Sequence, residues 1–268
     1  MEKRCVSLYK IKRDQLNIIA ALFESIDDSM VIACLQGYMG EAFIPAEGDP
    51  GAGLIVSGEY SFFGGEPDSD AADYLVENLF TVIQSDETTA IFTEDKPGWE
   101  NKLLCHPENN PVAVPRYRIK QRGNLFDESN LQKYINAVPK GFCLIRFNKE
   151  IYEQSMREDW SKEFCETFDS AADYLRRGFG FAILYEGKLV SGASTMTIYD
   201  GGTEIQVATQ ENYRQKGLAM PCAASFIREC IGRKMIPHWD AATLISKKMA
   251  VDLGYKYEGE YTTVHMHR

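Results

Sequence analysis

No stretch of this sequence approaches the roughly 18–20 consecutive apolar residues that a membrane-crossing helix needs. The opening MEKRCVSLYKIKRDQ never develops the apolar core of a secretory leader, so the expected address is the cytoplasm. Metal-ligand spacing is missing as well. The seven cysteines, Cys5, Cys34, Cys105, Cys143, Cys165, Cys222 and Cys230, are scattered and contain no CxxC pair. That argues against a disulfide framework or zinc ribbon and leaves reduced, buried thiols as the expectation. The four histidines, His106, His238, His265 and His267, make no ligand set, and no metal site is expected. Positive charge is in short supply: 29 Lys and Arg stand against 39 Asp and Glu, for a formal net charge of −10. Neither nucleic acid nor an anionic membrane surface is expected as a partner of so acidic a chain. The Walker, GxGxxG and GxSxG patterns are all absent. With them go the usual cradles for nucleoside triphosphates and dinucleotides, and the hydrolase nucleophile elbow.

What is present is a folded composition, 44% hydrophobic and 25% charged over 268 residues, enough for one large domain or two modest ones. PENNPVAVPR, residues 107–116, holds three prolines and is the best internal boundary. The expected division is 1–112 and 113–268. The first part reads as an amphipathic helix over residues 13–25, two β-rich stretches (MVIACLQGYMGEAFIP and GLIVSGEYSFFGG), a helix from about Asp70, the strand TTAIFT and the helix PGWENKLLC. The second part reads as strand RYRIK, helix ESNLQKYINAV, strand GFCLIRF and a polar helical region from Glu150 to Arg177. Three strands joined by tight turns at Glu186-Gly187 and Asp200-Gly201 follow. A helix from Gly217, a strand at residues 237–240, a helix over 243–253 and a last strand complete a mixed α/β chain.

The informative segment is EIQVATQENYRQKGLAMPCAASFIREC. A strand from Glu204 to Thr209 leads through a short turn into Arg214-Gln215-Lys216-Gly217-Leu218-Ala219, where a helix begins. Such a helix start offers unpaired N–H groups and the positive end of the dipole, which suit a phosphate or pyrophosphate. Gly217 lets the backbone approach closely, and Arg214 and Lys216 add positive charge to an acidic protein. A strand, a basic glycine turn and a helix also form an ordinary βα connection, and spacing alone leaves both readings open.

The run R-Q-K-G-L-A resembles the [RQ]-x-x-G-x-[GA] motif of the GNAT superfamily of acyl-CoA-dependent N-acyltransferases. TLISKKMAVDLGY matches the family's following helix in Ser246, Ala250 and Leu253-Gly254-Tyr255. The stretch from RRGFGFAILYEGKLVSGAS onward resembles the two-part branch that includes zwittermicin-resistance acetyltransferases. The resemblance implies a GNAT-like fold over 113–268 behind a smaller α/β domain, for which a degenerate second copy is one reading. It implies acetyl-CoA as co-substrate, a small-molecule amine as acceptor and no metal. Val207, Ala208 and Thr209 would pair with the pantetheine amides, and Arg214, Gln215, Lys216, Gly217, Leu218 and Ala219 would wrap the pyrophosphate. Thr243 and Ser246 would stand beside the coenzyme, and an N–H near Val207 or Ala208 would polarise the thioester carbonyl.

Two positions depart from the family pattern. Its usual Asn is Thr243 here, and the position that often carries an acidic Tyr is Ala250. Tyr213 and Tyr255 are substitutes to weigh against plain packing roles. Attack needs a neutral amine, so a base is useful. Strand alternation puts Glu204, Gln206 and Ala208 on one face, opposite Ile205, Val207 and Thr209. Glu204 is the candidate base, with pairing to an arginine or solvent as the plainer alternative, and Asp240 is the second carboxylate. A coenzyme-binding module without turnover is the other function to weigh. The acidic stretch from Glu66 to Asp73 reads as a loop and helix cap, or else as a receiver for a cationic amine.

Overall fold

The computed structural model describes residues 8–46, 50–83, 88–93, 97–120 and 126–268. Cys5 and part of the turn EGDPGAG lie outside them. Two compact units result: Met1–Arg116 together with Glu260–Arg268, and Tyr117–Gly259. The sequence puts the division near residue 112; the first stretch of the first unit ends at Arg116. The last nine residues, Glu260–Arg268, also belong to the first unit.

In the first unit, β1 (Tyr9–Lys10), β2 (Glu41–Ile44), β3 (Ala52–Ser57) and β4 (Tyr60–Gly65) form an antiparallel series. The amphipathic segment near residue 13 folds as two 3-10 turns, Arg13–Ile18 and Ala20–Phe23, rather than one α-helix. Leu16 and Ile19 are buried three residues apart, the period on which a 3-10 helix stacks its side chains. MVIACL, expected as strand, lies in helix α1 (Ser29–Leu35). Its cause is local: the Asp28 carboxylate accepts from the N–H groups of Met30 and Val31 and so fixes a helix start.

Helix α2 (Asp70–Glu77), capped by Ser69, leads to β5 (Thr88–Phe92), which runs parallel to β4 with Tyr60 opposite Ala90. Helix α3 (Pro97–Leu104) follows. The core of this unit holds Leu54, Phe63, Leu75, Ile91, Trp99 and Val264. β6 (Val112–Lys120) carries the chain into the second unit.

The second unit adds helix α4 (Glu128–Ile135), then β7 (Phe142–Arg146) and three short helices, α5 (Lys149–Ser155), α6 (Asp159–Lys162) and α7 (Ala171–Arg177). β8 (Gly180–Tyr185), β9 (Lys188–Tyr199) and β10 (Gly202–Thr209) continue from β7 as an antiparallel meander. Helix α8 (Ala219–Arg233) crosses to β11 (Ile236–His238), parallel to β10. After β12 (Asp240–Ala241) and α9 (Leu244–Leu253), strand β13 (Lys256–His267) leads back, and its end pairs with β5. The α8 stripe of Cys222, Phe226 and Cys230 is fully buried, with Phe226 stacked on Phe179 at 4.6 Å.

Both units therefore run meander, helix, parallel strand, helix, the order expected of a second copy. Of the described cysteines, Cys34, Cys165, Cys222 and Cys230 are buried, while Cys105 and Cys143 are exposed, against expectation. Among the described residues no helix is long and apolar enough to cross a membrane, and no group of His, Cys, Asp or Glu could hold a metal ion.

Candidate active site

The site is built where β10 loses its neighbour. β11 pairs with β10 only at Gly202, Thr203 and Glu204. The chain then turns away, and Asp240 and Ala241 of β12 pair with Arg118 and Tyr117 of β6 instead. A wedge opens along β10 from Ile205 to Thr209. The Gln210 N–H donates to the Val190 carbonyl of β9 at 2.9 Å. Antiparallel alternation then turns the N–H groups of Ala208 and Gln206 toward β9, and those of Val207 and Thr209 toward the wedge.

β10 leads through a 3-10 turn, Glu211–Tyr213, into an exposed loop ending at α8. Gln215 and Gly217 both have positive φ, 62° and 74°, which aims successive backbone N–H groups to one side, an anion-binding nest. Nothing lies within 4 Å of where a Gly217 Cβ would be, so that side is open. α8 has no side-chain cap and no acid in its first turn. Its first N–H groups and positive dipole end therefore remain available to an anion. Arg214 Nε donates to the Thr209 carbonyl at 3.3 Å. The Lys216 ammonium donates to the Asn212 carbonyl at 3.1 Å and sits over the Tyr213 ring. Leu218 is buried beneath the turn, and Ala219 opens the helix.

The equivalent places in the first unit are closed. Beyond its pairing with β5, β4 continues as Phe63, Gly64 and Gly65, where the Trp99 indole N–H donates to the Gly65 carbonyl at 3.1 Å and the ring packs on Phe63. α2 starts with the Ser69 cap in place and with Asp70 and Asp73 in its first turn, which repel an anion. Ser69, inside the acidic stretch, is thus the helix cap.

Glu204 is 7% exposed, and its Oε1 accepts the Asp240 N–H at 3.0 Å, so the carboxylate reaches across the root of the wedge. A register shift between Glu204 and Ile205 marks a bulge at this point. Beyond it Ile205 and Val207 pack into the core under α8, while the Gln206 amide bonds Glu163 just after α6, which separates the two faces as alternation predicts. The Thr209 and Ser191 hydroxyls share a hydrogen bond of 2.8 Å.

Thr243 caps α9 through the Ser246 N–H at 3.1 Å, and the Ser246 hydroxyl accepts the Trp239 indole at 3.0 Å. Ala250 is buried. The Tyr255 hydroxyl donates to the Pro237 carbonyl at 2.9 Å, and burial pushes its pKa well up. Tyr213 packs against Phe142 and Tyr185. Both tyrosines thus have packing partners. Beside the end of β10 a pocket of about 410 Å³ opens, lined in part by Glu153, Glu158, Trp160, Gln210 and Tyr213.

Sequence reasoning missed two residues here. The Tyr199 hydroxyl and His238 Nε2 lie 2.7 Å apart, next to Glu204. They are 39 positions apart in the chain, and only strand register brings them together.

An antiparallel meander, a basic turn into an uncapped helix, and a parallel strand that splays away define an acyltransferase-type fold. The GNAT acetyltransferase family profile matches residues 20–264, and the chain belongs to that family. An uncharacterised N-acetyltransferase of Bacillus subtilis, YdfB, is 26% identical over 208 residues, 77% of each chain. A GCN5-related N-acetyltransferase-like protein from Streptococcus suis is 29% identical with a TM-score of 0.83, over 95% of this chain and 99% of that one. A tandem GNAT protein from the clavulanic acid biosynthesis pathway shares the fold at 9% identity and a TM-score of 0.58, over 97% and 98%.

Proposed function

We propose that this chain transfers an acetyl group from acetyl-CoA to the primary amine of a small molecule, by direct attack in a ternary complex. The observation that carries the reading is one continuous surface. The vacant edge of β10 leads into the left-handed turn at Gln215 and Gly217 and on to the uncapped start of α8. A pantetheine arm can pair with that edge as a strand would, through the Val207 and Thr209 backbone. The pyrophosphate fits the nest and helix start. The Val207 N–H is then the donor that meets the thioester carbonyl as its oxygen gains charge.

Glu204 serves as the base, its carboxylate held by the Asp240 N–H. The departing thiol, with a pKa of about 8.5, needs little help from an acid. That fits the packing roles of Tyr255 and Tyr213. Direct attack also suits the cysteines: burial pushes the Cys165 thiol up to about 12 and raises Cys222 as well, making both poor nucleophiles. The setting we assign is the cytoplasm, with no nucleic-acid or membrane partner.

Thr243 and Ala250, at the family's Asn and Tyr positions, favour a second reading, a coenzyme-binding module without turnover. Calorimetric titration with acetyl-CoA of the wild type and Gly217→Glu, followed by an amine panel, separates the cases. Binding lost in the variant, with acetyl transfer by the wild type, supports the enzyme. Tight binding with no transfer supports the module, and no wild-type binding ends both.

A further inference from the structure

The face of the sheet that carries Glu204 holds a second group for which neither reading has a use. Register places Thr197 of β9 and His238 of β11 on either side of Glu204, so all three side chains leave the sheet in the same direction. Tyr199 joins them, because its ring lies over Gly202, where a Cβ would fall 2.3 Å from the phenolic oxygen, and its hydroxyl meets His238 Nε2 at 2.7 Å. Tyr199 is 9% exposed and Thr197 wholly buried, yet the Thr197 hydroxyl has no hydrogen-bond partner among the described residues. A buried hydroxyl left unsatisfied beside a carboxylate calls for a polar partner, a role that a water or an acceptor's nitrogen can fill.

We propose that this face receives the acceptor amine, and that His238, held by Tyr199, is a second proton acceptor of the acetyl transfer. The inference rests on the reading of this wedge as the acetyl-CoA site. In the tautomer protonated at Nε2 the phenolic oxygen accepts from Nε2–H and the lone pair lies on Nδ1, so protonation there leaves the Tyr199 bond intact. The acceptor arrives as an alkylammonium. One N–H proton passes by way of Glu204 and His238 to solvent, and the freed nitrogen lone pair forms the C–N bond to the thioester carbonyl carbon. The C–S bond breaks, and a second proton from nitrogen goes to the departing sulfur. The products are the amide, the free thiol of coenzyme A and one proton. Tyr199 acts through His238 and is a positioning residue. Tyr199 of β9 hydrogen-bonds the imidazole, Glu204 of β10 is its neighbour in register, and Asp240 of β12 meets that carboxylate through its backbone N–H.

The test is the pH profile of kcat/KM from pH 5.5 to 9.5 for wild type, His238→Gln and Tyr199→Phe, with the best amine of the panel and with acetyl-CoA affinity measured in parallel. Two ionisations are expected on the acid limb of the wild type, reduced to one in His238→Gln with a 10- to 100-fold lower kcat and unchanged acetyl-CoA affinity. Tyr199→Phe retains both but shifts one. Superimposable profiles for wild type and His238→Gln overturn the proposal and leave the acetyltransferase reading standing. A fall in His238→Gln that tracks lost acetyl-CoA affinity overturns it too. Should that variant not fold, an unshifted Tyr199→Phe profile decides against it. A wild type that neither binds acetyl-CoA nor acetylates the panel removes the parent reading and this one together.

Discussion

Replacing Glu204 by Gln removes the carboxylate while keeping an oxygen to accept the Asp240 N–H at the 3.0 Å now observed. Stability should therefore change by less than about 1 kcal/mol, the net worth of one hydrogen bond. Activity should change far more. An alkylamine of pKa about 10.4 is neutral in only about one molecule in 2,500 at pH 7, and a positioned base contributes about 100- to 10,000-fold. A fall of that size in kcat/KM is expected at pH 7, with acetyl-CoA affinity unchanged by calorimetry. Without its base the variant depends on amine that is already neutral, so its kcat/KM should climb about tenfold per pH unit, about 100-fold between pH 7 and pH 9. The wild type should climb less. Glu204→Ala should show the same kinetic loss plus about 1 kcal/mol of destabilisation from the missing acceptor. A Gln variant within twofold of wild type at pH 7, or one whose loss equals its loss of coenzyme affinity, would refute the assignment.

Lys216→Ala and Arg214→Ala should each weaken acetyl-CoA binding several-fold in calorimetry, with the difference from wild type shrinking as salt is raised. Trp99 is fully buried beside the closed edge of β4, so Trp99→Ala should cost the first unit about 3–5 kcal/mol in urea unfolding, without rescue by acetyl-CoA. Asp173 is held by Arg177 and Arg176, which lower its pKa from 3.8 to about 2. Its stabilisation is fully present above pH 4 and is lost as pH falls through about 2. Asp173→Asn should thus cost about 1–2 kcal/mol at pH 7, discounted for the exposed Arg176, and the two proteins should converge in acid melts.

The strand, turn and helix start to which we assign the coenzyme were legible in the sequence because they are local. A strand, a Gly turn with two cations and a helix lie within about thirty consecutive residues, and each is specified by its own side chains. The same holds for α2, capped by its neighbour Ser69, and for α9, capped by Thr243. MVIACL misleads because its apolar run suits a buried strand or a helix equally, and the Asp28 cap decides between them. What composition could not express was pairing. The bulge after Glu204, the early parting of β10 and β11, the return of the last nine residues to the first unit and the Tyr199–His238 bond all depend on which strands lie side by side. Local sequence fixes which atoms a segment carries and how it curls. Only the long-range register of the sheet decides which of those atoms share a face, and so which can act on one substrate.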